Sequence, residues 1–154
     1  MKKLSANELR IGNLMNFPFT NEIVEVVGIN AHESIDLQLN KTIINTISFR
    51  KDLNLYCEPI DKIEPILLNE EWHNNFGIIK NGFHYFEYKI KRKNNYNIEI
   101  IFTGDYIMLI QRDGKIEDDL ICIWNKDITK RDMYVHEFQN LYFALTGEEL
   151  TLKS

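Results

Sequence analysis

The residue types that could carry chemistry are present in this chain, but their spacing does not assemble them. Four histidines, His32, His73, His84 and His136, fall on a predicted loop, helix, strand and helix, and none belongs to an HExxH pattern. Two cysteines, Cys57 and Cys122, lie far apart and lack the CxxC spacing of zinc or redox sites. Cys122 sits in the alternation Leu120, Cys122, Trp124, and both thiols are expected to be free and buried as small hydrophobes. There is no GxSxG elbow and no cysteine beside a base, so no nucleophile is recognisable.

Paired carboxylates can divide acid and base roles between them. Here Glu70-Glu71 and Glu148-Glu149 flank predicted helix ends, and Glu117-Asp118-Asp119 precedes a strand. The first pair complements a helix dipole and the others read as solvated charge. None of the seven glycines forms GxGxxG or GxxxxGK[ST], so no phosphate cradle is encoded. The expectation is a protein that is not an enzyme, with no cofactor and no metal.

Two binding surfaces remain as candidates. Lys89, Lys91, Arg92 and Lys93 stand on a predicted hairpin with Tyr85, Phe86, Tyr88 and Tyr96 interleaved, a mixture suited to phosphates and stacked bases. The simpler alternative is an aromatic face turned inward while the lysines keep the tip soluble. On the C-terminal helix, His136, Gln139 and Phe143 fall roughly 40 to 100° outside the core-facing arc, a candidate partner or self-association surface.

The elements that must position these residues are legible from periodicity. Ser5-Ala6-Asn7-Glu8 has capping-box spacing, with Gly12 limiting it to one turn. Strands are predicted at Leu14 to Phe17, Ile23 to Ile29, Ile35 to Leu39 and Ile43 to Phe49, a compact antiparallel unit resembling a small SH3-like barrel. Cys57 to Pro65, with two prolines, reads as an extended connector. Asn69 caps a short helix in which Trp72 and Phe76 share a face, and Gly77 stops it. A meander follows: Phe83 to Arg92, Tyr96 to Phe102, Tyr106 to Arg112 and Lys115 to Trp124, with Asp113-Gly114 predicting a type I′ turn. Thr129 to Asp132 caps a last helix reaching about Thr146, with Gly147 beyond it. Its Tyr134, Val135, Phe138, Leu141, Tyr142 and Leu145 form a core arc of roughly 120°. The fold class expected is α+β, mainly antiparallel. It forms one domain over 1–154, with subdomains 1–58 and 66–154.

With 154 residues and 44% hydrophobic content the chain can build its own core. A net charge of −5 and a pI near 5.4 give no global attraction to polyanions. The N-terminus lacks the apolar run of a signal peptide, and no stretch reaches the ~18 apolar residues of a membrane helix. A cytoplasmic location is expected.

Three segments are informative together: Leu9-Arg10-Ile11-Gly12-Asn13, then Glu64-Pro65-Ile66-Leu67-Leu68-Asn69-Glu70-Glu71-Trp72 with Phe76-Gly77, and finally the run from Tyr134 to Leu150. The set resembles a group of small proteins of phages, prophages and mobile elements of Bacteroidota. In that group LRIGN-like, EPIPLTEEW-like and YVHQLQNLYFALTGEEL-like motifs recur in this order. Here Glu137 and Phe138 replace Gln and Leu, and Asn69 replaces a Thr cap, changes that preserve both helices. The resemblance implies a phage or prophage origin and carries no catalytic residue onto this chain. Two functions are expected from it and from the composition. The first is a protein-protein interaction protein, a virion or assembly component or a modulator of a host or defence protein, with a homo-oligomer as a further expectation. The second is a nucleic-acid-binding accessory protein using the basic hairpin or the small barrel.

Overall fold

A computed structural model of the chain describes residues 4–35, 41–51, 54–81, 85–91, 97–103, 106–112, 119–125 and 132–153. It is an α+β protein built on two antiparallel meanders. The chain divides into two compact units, Met1–Leu67 with Tyr134–Leu141, and Leu68–Met133 with Tyr142–Ser154.

The first unit holds a four-stranded sheet in the order β1 (Leu14–Phe17), β2 (Glu22–Ile35), β3 (Lys41–Lys51) and β4 (Asn54–Pro59). Met15, Val24, Val26, Ile47 and Phe49 alternate onto its inner face. With Leu4, Leu9, Ile60 and Ile63 they form the core. After β4 a 3-10 turn, Ile60–Lys62, brings the chain back so that Glu64 bridges Asn16, with both backbone N–H···O bonds at 3.0 Å. The curled sheet therefore meets its own first strand, as a barrel-like unit requires, through one bridge.

Three details differ from the sequence reading. The polar run Asn30 to Ser34 does not separate two strands. Pairing with β3 from Glu25↔Arg50 to Ile35↔Lys41 carries it through as one strand with a bulge between Val26 and Gly28, because ladder bonds override local β propensity. The connector contains β4, whose Pro59 ends the pairing opposite Thr46, an edge position where a missing donor is tolerated. Cys57 is exposed and free, since β4 turns it to the outer side; the side chain of Cys122 lies outside the described residues.

The second unit begins with α1 (Glu70–Asn75), where the Asn69 side chain accepts from Trp72 N–H at 3.1 Å and Glu70 and Glu71 fill the first turn. Trp72 and Phe76 pack 5.6 Å apart, and Gly77 takes φ +71 as the stop. A five-stranded meander follows in sequence order: β5 (Ile79–Asn81), β6 (Tyr85–Lys91), β7 (Asn97–Thr103), β8 (Tyr106–Arg112) and β9 (Asp119–Asn125). β5 was too short for periodicity to reveal. Asp113-Gly114 lies outside the described residues. The described pairing of β8 with β9 runs from Tyr106↔Asn125 to Gln111↔Asp119.

The last helix, α2 (Val135–Thr146), starts later than the Thr129 to Asp132 cap predicts. Tyr134 bridges Leu67 and Val135 N–H donates to Ile66 O at 2.8 Å, which holds the backbone extended up to that point. Glu137 then accepts from Tyr134 N–H at 3.0 Å, closing the first turn. Gly147, at φ +75, ends the helix by donating to Phe143 O at 2.7 Å.

Candidate interaction surface of the first unit

The helix residues expected to face a partner are largely inside. His136 is 0% exposed and Gln139 1%, while Phe143 is half-buried. His136 stacks on Tyr134 at 5.9 Å. The reason for the burial of Gln139 is polar. Its Nε2 donates to Gly12 O at 3.1 Å and its Oε1 accepts from Leu14 N–H at 2.8 Å, so one side-chain amide serves the backbone as a neighbouring strand would. Beside it Asn140 Nδ2 donates to Glu8 O at 2.8 Å, and Asn140 Oδ1 accepts from Asn13 Nδ2 at 3.0 Å. Asn13 is itself fully buried and its Oδ1 accepts from Arg10 N–H at 2.7 Å. Gly12, at φ +92, supplies a left-handed bend and donates to Val26 O at 2.7 Å. The LRIGN segment and the Gln139-Asn140 pair thus form one clamp. Its members are amides, residues that hydrophobic periodicity alone places outside a core-facing arc.

The basic hairpin falls mostly beyond description: Arg92 and Lys93 lie outside the described residues, as do the side chains of Lys89 and Lys91. The β6 register sets Lys89 opposite Glu99 and Lys91 opposite Asn97. Phe86 and Tyr88 occupy the alternate positions, opposite the buried Phe102 and Ile100. Glu99, the partner of Lys89, is buried as well.

Among the titratable groups, His73 is buried and its ring packs 4.8 Å from Phe102. Burial pushes its pKa down to about 4, partly opposed by the Glu70 carboxylate. At neutral pH the ring is uncharged where it packs against Phe102. Among the described residues no group of three or more His, Cys, Asp or Glu is placed to hold a metal ion, and no helix is long and apolar enough to cross a membrane.

A row of rings in the first unit reaches the surface at Phe19 and Tyr56. Phe17 ends β1, and Pro18 and Phe19 form a turn closed by Thr20 N–H donating to Phe17 O at 3.2 Å. Pro18 presets φ for such a turn, and Asn21 takes φ 54, a conformation its short amide tolerates. Phe19 is left at the tip, 69% exposed. Its ring lies 5.5 Å from Phe17, which lies 5.2 Å from Phe49, which stacks on Tyr56 at 5.6 Å and 13°. Phe49 is buried and Tyr56 is 39% exposed, so the row is anchored in the core and open at both ends. Lys62 Nζ stands 5.6 Å over the Phe19 ring, a cation–π contact worth ~0.5 to 1 kcal/mol at an exposed site. A large aromatic residue in a Pro- and Asn-containing turn was the available sequence signal, since a loop tip offers it no core to enter.

Compared with protein-family models, with curated proteins and with solved structures, the chain matches none.

Proposed function

We propose that this chain is a non-enzymatic interaction protein of phage or prophage origin. In this reading it binds a phage or host protein through the aromatic row of its first unit. The observation that carries the reading is Phe19, an exposed ring held on an ordered turn and backed by Phe17 and the buried Phe49. Aromatic anchors lose little entropy on docking and dominate interface energetics. The three ordered sequence motifs support the origin, and the absence of catalytic spacing in the sequence supports a binding role.

The test is a tagged pull-down from infected host cells with identification of the bound protein, comparing the natural chain with Phe19→Ser. Because Phe19 is exposed, the substitution leaves the core in place. Retention of one identified protein should fall ~10-fold or more, the loss of a single interface anchor. Unchanged retention in Phe19→Ser and in Tyr56→Ser would refute the role of the row.

A second reading, binding of single-stranded nucleic acid, has a specific basis in Lys62 over Phe19, a charge beside a ring. It predicts recovery of nucleic acid in place of protein, lost on Lys62→Ala and at raised salt.

A further inference from the structure

β2 and β3 outrun their neighbours. β1 pairs with β2 only from Glu22 to Glu25, and β4 pairs with β3 only from Thr46 to Lys51. Among the described residues, the remaining ladder from Ala31↔Asn45 to Ile35↔Lys41 is therefore a two-stranded ribbon with no third strand. Such a ribbon is marginal in water without further pairing or packing. It nevertheless displays Ile43, 69% exposed, and the adjacent Ile44, also exposed.

We propose that two copies of this chain associate through the outer edge of β3 at residues 41–45, antiparallel and centred on Ile43. Three observations favour a second copy as the occupant. The edge is open where β4 stops at Pro59, so an added strand would continue the line of β4. The segment Lys41-Thr42-Ile43-Ile44-Asn45 is self-complementary about its centre: Ile43 meets Ile43, Thr42 meets Ile44 and Lys41 meets Asn45, with no like charges opposed. The ribbon is also locally neutral, Lys41 pairing with Glu33 at 3.3 Å, whereas the whole chain carries −5 and would repel itself elsewhere. The edge of β2 in the same stretch, Ala31 to Ile35, is centred on Glu33 and would set that carboxylate against its own copy in an antiparallel pair, a like-charge opposition that the edge of β3 avoids. Five paired residues bury less than the ~1,200 Å² of a stable interface, so the dimer is weak and forms at high chain concentration.

The experiment uses the full chain in sedimentation equilibrium from ~5 to ~500 µM, a range that spans weak interfaces, together with a cross-linking variant. The natural chain should move from monomer to dimer. Ile43→Lys, which sets like charges against each other at the centre, should weaken the association at least ~10-fold with an unchanged circular dichroism spectrum. In a Cys57→Ser background, Ile43→Cys should form an interchain disulfide on mild oxidation, because directly opposed Cβ atoms fall within bridging distance. Ala31→Cys in the same background, on the other strand, should not. A chain monomeric throughout with no disulfide at position 43 overturns the proposal. So does a dimer that survives Ile43→Lys. Neither outcome bears on the aromatic row, which is tested by Phe19→Ser.

Discussion

Asn13 and His73 show how buried polar residues are used in this protein. Asn13 is inside because both ends of its amide are bonded, which removes the desolvation cost of burying it. His73 is inside as a neutral ring, and this has a consequence for pH. Its pKa is about 4 in the native chain against 6.5 when unfolded, so between those values the unfolded chain binds more protons. Stability is accordingly full above about pH 6.5, falls as pH drops toward 4 and takes no further loss from this group below that. The loss is at most about 3 kcal/mol. Denaturant unfolding at a series of pH values should show this slope, and His73→Phe, which keeps the ring against Phe102, should flatten it. An unchanged slope would show that other groups set the acid sensitivity.

At the scale of elements, the first turns of α2 act on the N-terminal segment through side-chain amides. Gln139→Leu keeps the volume and helix propensity but leaves Gly12 O and Leu14 N–H without this partner. Two unsatisfied buried backbone groups should cost about 2 to 4 kcal/mol. The amide of Leu14 should then exchange with deuterium faster, while the amides of β7 should not change. If Gln139→Leu were neutral for stability yet abolished partner binding, the residue would belong to an interface after all. The β2–β3 ribbon shows the opposite situation, two strands that pair with each other to Ile35↔Lys41 while their outer neighbours stop at Glu25 and Thr46.

At the scale of the molecule, the acidic balance decides against bulk attraction to nucleic acid. At −5 the chain should pass a heparin column at ~0.1 M salt without delay, since polyanion affinity requires clustered cations. Retention that falls steeply with salt, and is lost when Lys89, Lys91, Arg92 and Lys93 are neutralised together, would favour the nucleic-acid reading. The division into two units also matters here. Residues 134–141 group with the first unit although they lie far beyond it in sequence, and residues 142–154 group with the second.

What the sequence determined by itself was mostly local. Asn69 as a cap, Gly77 and Gly147 as stops, and β1 and β8 at their observed ends follow from turn chemistry and period-two alternation within a few residues. The continuation of β2 past Asn30 and the face of α2 were set by partners distant in sequence. The ladder that begins at Glu25↔Arg50 and the amide bonds from Gln139 to Gly12 and Leu14 join residues that no window of neighbours contains. An isolated helix exposes His136 and Gln139. Only the folded chain, by offering Gln139 backbone groups that lacked a strand partner, made the inside the better place for it.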